Sequence, residues 1–158
     1  MTLSVRHAFV TGAGTGIGRE IALSLAARGC AVTVAGRRGA PLREAADKIE
    51  RVGGQARIAK GFDVTSVEAV EGGVAGAIEA FGEIGVLVNC AGEAPSAAFD
   101  KTDHVFWSRV LAVNLTGAFN VTKAALSSLR RAGRGRIINV ASTAGLTGYP
   151  YVSAYCAA

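Results

Sequence analysis

The chain has 158 residues, half of them hydrophobic and only 18% charged, so it can bury a core as one domain and is not globally disordered. No apolar run is long enough for a transmembrane helix, and basic residues do not alternate with the few aromatic ones, so we expect neither membrane nor nucleic-acid binding. The net charge of +5 suits an anionic ligand such as a phosphorylated nucleotide, although a solvated basic surface is the simpler explanation.

The sequence gives no sign of targeting or metal binding. Residues 1–10 place Arg6 and His7 before a short apolar run that leads directly into glycines, so we predict no secretory signal. Three widely separated cysteines and two isolated histidines predict neither a disulfide framework nor a metal site. A reducing cytoplasm is the simplest location for such a chain.

Short apolar runs alternate with helical patterns along the chain. Runs at residues 7–10, 31–35, 56–62, 84–88 and 136–140 predict five strands. Between them, apolar residues recur at helical spacing, on faces formed by Ile17, Ile21 and Leu25; by Leu42, Ala45, Ile49 and Val52; by Val67, Val70, Val74 and Ile78; and by Phe106, Val110, Val113, Val121, Ala125 and Leu129.

Helix starts are predicted from polar side chains that can satisfy free backbone N–H groups. Thr65 and Glu68 form a capping box for the third helix. Thr102 is a candidate N-cap for a long helix that ends near Arg130. A last helix is expected to begin near Tyr151 or Val152, with the sequence stopping within it.

This alternation predicts an α/β fold. Strands separated by helices form right-handed βαβ units and a parallel sheet. We therefore expect one Rossmann-like, doubly wound domain over residues 1–158, with five strands in the order 3-2-1-4-5 and no internal linker. Such sheets bind ligands beyond the carboxyl ends of their strands, where the strand order reverses.

A glycine-rich turn, Thr-Gly-Ala-Gly-Thr-Gly-Ile-Gly at residues 11–18, follows the first strand and opens the first helix. Glycine permits the tight turn, its missing Cβ lets the backbone approach a pyrophosphate, and the helix N-terminus attracts the negative charge. We predict a dinucleotide site formed here by Gly12, Gly14, Thr15, Gly16, Ile17 and Gly18. The alternative is a glycine turn needed only for tight packing.

The end of the second strand bears on the choice of cofactor. An NAD site usually places a carboxylate there for the ribose 2′-hydroxyl. Arg37 and Arg38 stand there instead and can pair with a 2′-phosphate. We predict NADP(H) as the preferred cofactor, with NAD possible if the two arginines are only solvated loop cations.

Further motifs follow the later strands. They are Asp63 after the third, Asn-Cys-Ala-Gly at residues 89–92 after the fourth, Asn114 in the long helix, Ser142 after the fifth, and Tyr155 thirteen residues beyond Ser142. With the glycine turn, these motifs resemble the short-chain dehydrogenase/reductase family in their order, from Thr11 to Ala158. Residues 139–158 are similar to the family's 3-oxoacyl and 3-hydroxyacyl reductases and dehydrogenases.

The resemblance implies hydride transfer between a nicotinamide cofactor and a carbonyl or secondary alcohol, including a 3-oxoacyl or 3-hydroxyacyl thioester. Tyr155 would act as the acid/base, and Ser142 would hold the substrate oxygen. Asn114 would support a proton-relay water through a distortion of the long helix. The resemblance also implies that Asp63 and Val64 contact the adenine, and that the cofactor is lined by Asn89, Cys90, Ala91 and Gly92.

Two departures from the family pattern accompany these expectations. Cys90 replaces the family's second asparagine, for which we expect a mild effect because this segment contributes mostly backbone contacts. The family's catalytic lysine would be residue 159, beyond this sequence. We therefore expect the chain to be part of a longer protein, with the C-terminal part of the family fold absent here. The alternative is a non-catalytic dinucleotide-binding module or an inactive truncated relative.

Assembly and substrate are expected from the same resemblance. The long helix carries apolar residues on more than one side, including Phe106, Trp107 and Phe119. Relatives commonly form homotetramers through this helix, so we expect a homodimer or homotetramer. Residues 93–99 are expected to form one wall of a site for a small-molecule carbonyl or alcohol.

Overall fold

The computed structural model describes residues 7–158. Residues 1–6, which belong to the segment predicted to lack a secretory signal, lie outside this range. The described residues form five strands: β1 (His7–Thr11), β2 (Ala31–Gly36), β3 (Ala56–Lys60), β4 (Val86–Asn89) and β5 (Arg136–Asn139).

Six α-helices connect or follow these strands within residues 7–158: α1 (Gly16–Ala26), α2 (Gly39–Arg51), α3 (Val67–Phe81), α4 (His104–Leu111), α5 (Gly117–Arg131) and α6 (Ser153–Ala157). A π-helical segment, Ala112–Thr116, joins α4 to α5, and short 3-10 turns occupy Phe99–Lys101 and Thr143–Gly145. None of the helices in the described range is long and apolar enough to cross a bilayer.

All five strands are parallel and lie in the order β3-β2-β1-β4-β5, which confirms the predicted fold and strand order. The order reverses between β1 and β4. Alternate residues of β1 face opposite sides of the sheet: Val10 joins the core beneath α1 and α2, while Phe9 joins the core beneath α3 and α5. Helices therefore cover both faces, as a parallel sheet requires.

Helix α1 buries its small residues more fully than the large apolar residues that predict its core face, of which Ile21 and Leu25 are only partly buried against the core. The buried residues are Gly18, Ala22 and Ala26, whereas Ile17 is 64% exposed. The reason is the short distance between helix and turn, since a Cβ at Gly18 would lie only 2.4 Å from the carbonyl oxygen of Gly12. Small residues are needed where the helix approaches this closely, so Ile17, in the first turn of the helix, faces outward.

Two helix caps also differ from prediction by one residue. Ser66, rather than Thr65, caps α3 by accepting a 3.2 Å hydrogen bond from the N–H of Ala69, because the Thr65 hydroxyl donates to Asp63 instead. Asp103 caps α4 through the N–H of Phe106 at 2.7 Å. The expected cap of α4, Thr102, instead donates its hydroxyl to the carbonyl of Ala98.

His7 is a buried structural residue at the start of β1. Its Nδ1 donates to the carbonyl oxygen of Gly82 at 2.9 Å, so Nε2 carries no proton and accepts from the hydroxyl of Thr33 at 3.0 Å. The ring also meets Phe81 edge-on, with centroids 5.5 Å apart. Burial lowers the pKa of His7, an effect that the hydrogen bond to Gly82 opposes, and the ring is therefore neutral.

Candidate active site

A cleft of about 800 Å³ opens at the carboxyl ends of the strands, where the reversal of strand order predicts it. Every site residue predicted from the sequence lines this cleft, and their individual roles stay predictions. From one end to the other these residues are Arg37, Arg38, Asp63 and Val64; Gly12, Gly14, Thr15, Gly16, Ile17 and Gly18; Asn89, Cys90, Ala91 and Gly92; and Asn114, Ser142 and Tyr155.

The glycine turn forms a cradle that side chains would fill. Gly12 has a φ of 66°, and a Cβ there would lie 2.9 Å from the carbonyl oxygen of Cys90. At Gly16, with a φ of 55°, nothing lies within 4 Å of that position. Thr15 provides no side-chain cap to α1, and no acidic residue occupies its first turn. The free N–H groups of this helix start thus suit a diphosphate.

Thr11 ties the turn to the opposite wall of the cleft. Its hydroxyl oxygen accepts hydrogen bonds from the backbone N–H groups of Cys90 and Ala91, at 3.0 Å each. Its proton points to the carbonyl of Val88 at 3.4 Å. The sequence motif includes Thr11 but indicates no separate function for it, because its hydrogen-bond partners lie about 80 residues further along the chain.

Asp63 is held in place at one end of the cleft. Its carboxylate accepts from the N–H and the hydroxyl of Thr65, at 2.9 Å and 2.7 Å. These two hydrogen bonds, with a smaller contribution from the charge of Arg37, lower the pKa of Asp63. The carboxylate is therefore ionised at neutral pH. Val64 follows it, and its carbonyl accepts from the amide of Asn120 at 3.0 Å.

The end of β4 is joined to its neighbours through Asn89. The Asn89 amide donates to the hydroxyl of Thr122 at 3.0 Å and to Oδ1 of Asn139 at 2.8 Å. Asn139 is its direct partner across the strands. The sequence motifs did not identify Asn139 as a site residue, although its position three residues before Ser142 indicates a place in the cleft. Cys90 follows Asn89, and burial raises the pKa of its thiol, so the thiol is protonated at neutral pH.

Asn114 lies in the π-helical segment, so the long helix is distorted where the resemblance implied a distortion. Its side chain forms a clamp on the backbone of Glu93: Oδ1 accepts from the N–H of Glu93, and Nδ2 donates to its carbonyl, both at 2.9 Å. A Cβ at Gly92 would lie 2.9 Å from the same Oδ1. These two bonds use one of the two lone pairs of Oδ1 and one of the two N–H groups of Nδ2, so the amide holds the Glu93 backbone and keeps one further position at each end.

Ser142 and Tyr155 reach the cleft from the segments that follow β5. The Ser142 oxygen accepts from the N–H of Ala144 at 3.1 Å, which leaves its proton free to donate to a ligand. No group within residues 7–158 hydrogen-bonds to the Tyr155 hydroxyl. Of the wall expected at residues 93–99, Glu93 and Ala94 line the cleft.

A family model described as short chain dehydrogenase matches residues 6–158. The chain therefore belongs to the short-chain dehydrogenase family, as the motifs predicted.

Individual relatives and structures agree with this family. The chain is 44% identical to the short-chain reductase protein NovJ of Streptomyces niveus, over 87% of this chain and 52% of that protein. It is 42% identical to the inactive 2-(S)-hydroxypropyl-CoM dehydrogenase 2 of Xanthobacter autotrophicus, over 82% of this chain and 55% of that protein. The crystal structure of a variant actinorhodin polyketide ketoreductase with NADPH matches with a TM-score of 0.92 and 38% identity, over 99% of this chain and 61% of that one. The chain thus spans between half and two thirds of the length of these proteins.

Proposed function

We propose that residues 1–158 are the dinucleotide-binding part of an NAD(P)-dependent oxidoreductase that interconverts a carbonyl and a secondary alcohol. The observation that carries the proposal is the shared cleft. It joins a glycine turn suited to a diphosphate with a free tyrosine hydroxyl and a serine with an available proton. The ketoreductase structure with NADPH and the reductase NovJ, both similar to this chain, support the same reaction class.

The bound nicotinamide would supply or accept the hydride, and the chain would orient the substrate and move the proton. As hydride reaches a carbonyl carbon, negative charge develops on the oxygen. Ser142 would donate a hydrogen bond to that oxygen, and Tyr155 would deliver the proton.

The preferred cofactor in this proposal is NADP(H), with NAD as the weaker one. Arg37 and Arg38 line the cleft directly after β2, and no carboxylate stands between Gly36 and Arg38. Asp63, the nearest cleft-lining carboxylate along the chain, is engaged by Thr65. The charge of Arg37 acts on Asp63, but neither arginine forms an ion pair within residues 7–158, so both can pair with a 2′-phosphate.

A homodimer or homotetramer is proposed from the outer side of α4 and α5. Trp107 is partly exposed there, and Phe119 is 60% exposed, with Nζ of Lys123 5.8 Å above its ring. Exposed aromatic residues of this kind are typical of subunit contacts. Light scattering after size exclusion tests the assembly, and a monomer at micromolar concentration would contradict it.

The cytoplasm is the proposed location, because three widely separated cysteines suggest no disulfide framework and a reducing compartment is the simplest location for such a chain. The proposed substrates are small carbonyl compounds and alcohols, with 3-oxoacyl and 3-hydroxyacyl thioesters first. Membranes and nucleic acids are not among the proposed partners.

A second candidate function is a dinucleotide-binding module without turnover. It is favoured by one observation, the 42% identity to a dehydrogenase described as inactive. The two functions differ in one measurable property, because a module binds NADPH but never oxidises it.

The test is Tyr155→Phe in the full natural protein, assayed for NADPH consumption with a panel of ketones and 3-oxoacyl thioesters. We expect turnover to be lost while NADPH binding, measured by its fluorescence, is retained. Tyr151→Phe is the matched control, since its side chain is 67% exposed and does not line the cleft. Full activity of Tyr155→Phe defeats the proposed mechanism, and binding without turnover in the wild type supports the module.

A further inference from the structure

A carboxylate stands in the cleft wall beside the proposed catalytic residues. Glu93 lines the same cleft as Ser142 and Tyr155. It follows shortly after β4, as Ser142 follows shortly after β5, and these two strands are parallel neighbours. Since parallel strands end at the same edge of a sheet, Glu93 and Ser142 belong to the same end of the cleft.

The position of Glu93 is fixed from two sides. Its backbone is held by the amide of Asn114 through two 2.9 Å hydrogen bonds. Its Oε1 lies 3.3 Å from Nε of Arg109 on α4, an ion pair without the angles of a hydrogen bond. Helix α6, which carries Tyr155, packs against the same α4. Both the backbone and the carboxylate of Glu93 are therefore held in this wall of the cleft.

One oxygen of the carboxylate remains available to a ligand. Neither oxygen receives a hydrogen bond from any group within residues 7–158, but Oε1 is buried beside Arg109, so Oε2 is the oxygen left for a ligand. A carboxylate only accepts hydrogen bonds, so a hydroxyl or an ammonium group suits it. Arg109 offsets the negative charge of Glu93 only in part. The Arg109 side chain is 54% exposed, against 25% for Glu93, so water screens the charge of the arginine more strongly.

We propose that Glu93 is a specificity-determining residue. It favours carbonyl substrates that carry a hydrogen-bond donor near the reacting group, and it rejects those that carry a carboxylate there. The inference rests on the proposed function and narrows it: a thioester has no charge beside its reacting carbonyl, whereas a free 3-oxo acid does. Repulsion of the wrong substrate is a general route to specificity.

Three small ketones of similar size test this inference in the full natural protein with NADPH. They are 4-hydroxy-2-butanone with a donor, 2-pentanone with neither group, and acetoacetate with a carboxylate. We expect kcat/KM to fall in that order. In Glu93→Gln, which removes the charge and keeps the size, kcat/KM for acetoacetate should rise about tenfold relative to 2-pentanone. Arg109→Gln should have the opposite effect, because it removes the compensating cation.

The matched control is Glu79→Gln, an equal loss of charge at an exposed position of α3 outside the cleft. It should leave the ratio of kcat/KM for acetoacetate to kcat/KM for 2-pentanone unchanged. An unchanged ratio in Glu93→Gln contradicts the role of Glu93, while turnover that depends on Tyr155 leaves the proposed function intact.

A lack of turnover with every ketone and both cofactors counts instead against the proposed function. Binding of the same three compounds to the NADPH complex, followed by NADPH fluorescence, then decides about Glu93. Weaker binding of acetoacetate that Glu93→Gln relieves supports the role. Equal affinities in the two proteins, or no binding of any compound, overturn it.

Discussion

The hydroxyl of Thr11, the last residue of β1, accepts a 3.0 Å hydrogen bond from the backbone N–H of Cys90, the first residue after β4. The same oxygen accepts from the next N–H, that of Ala91. These two strands are the ones between which the strand order reverses. A single side-chain oxygen thus joins the glycine turn to the opposite wall of the cleft.

Thr11→Val tests this link, because it keeps the shape of the side chain and removes the acceptor. Two partly buried N–H groups lose their partner, so we expect the free energy of unfolding to fall by about 1–3 kcal/mol. NADPH affinity should fall as well. Urea denaturation and fluorescence titration measure the two effects. Thr147→Val, at an exposed position, is the control, and wild-type stability of Thr11→Val would disprove the link.

Gly12→Ala tests whether the turn needs space as well as backbone freedom. The added Cβ would stand 2.9 Å from the carbonyl of Cys90, in a backbone with a φ of 66°. Gly53→Ala is the matched control, since its φ is 80° and nothing lies within 4 Å. Both variants carry backbone strain, so we expect Gly12→Ala to lose about 1–3 kcal/mol more stability from overpacking. Equal losses in thermal or urea unfolding would rule out the steric argument.

Replacing Arg37 and Arg38 by alanine tests the cofactor preference. Loss of charge-assisted hydrogen bonds should weaken NADPH binding by about 10–100-fold, while NADH binding changes little. Fluorescence titrations with both nucleotides at fixed ionic strength provide the comparison. Arg43→Ala removes an exposed charge from α2 and serves as the control. An equal loss for NADPH and NADH would argue against recognition of the 2′-phosphate.

The buried ring of His7 predicts a pH dependence of stability. Burial holds its pKa below the ordinary 6.5, so the unfolded chain takes up a proton at a higher pH than the folded one. The contribution of neutral His7 to the free energy of unfolding is fully present above pH 6.5. It is lost as the pH falls from there toward the lowered pKa, by at most about 1.4 kcal/mol per pH unit.

Urea unfolding between pH 5 and pH 8 measures this slope. His7→Gln should have lower stability but a flatter pH profile. An unaltered slope in His7→Gln would assign the pH dependence to other groups.

The sheet could be predicted from the sequence because βαβ units have a fixed handedness and cover both faces of a parallel sheet. The buried face of α1 could not be predicted in the same way. Periodicity shows which residues share a face, but not how close the helix lies to the glycine turn. At Gly18 an added Cβ would collide with the carbonyl oxygen of Gly12, so this position requires glycine rather than a large apolar residue. The predicted cap of α3 was wrong for a local reason. Thr65 and Ser66 are adjacent candidates, and because the Thr65 hydroxyl donates to Asp63, Ser66 caps the helix.

The candidate site was predictable where it follows strand ends, since all parallel strands end at one edge of the sheet. Its side-chain pairings were not. Asn89 meets Asn139 across 50 residues, and Asn114 meets Glu93 across 21. Such pairs depend on strand register and on the exact path of the π-helical segment. The resemblance implied a distortion near Asn114 but did not indicate which backbone groups its side chain would meet.

The double engagement of the Asn114 amide has a consequence for mutagenesis. An alanine at this position releases the loop that carries Glu93 before it alters any proton path, since both amide atoms hold that loop. Inactivity of such a variant is therefore ambiguous evidence for a part in chemistry. Only a crystal structure of the variant, or rescue by a substitution that restores the loop, can tell a displaced substrate pocket from an interrupted relay.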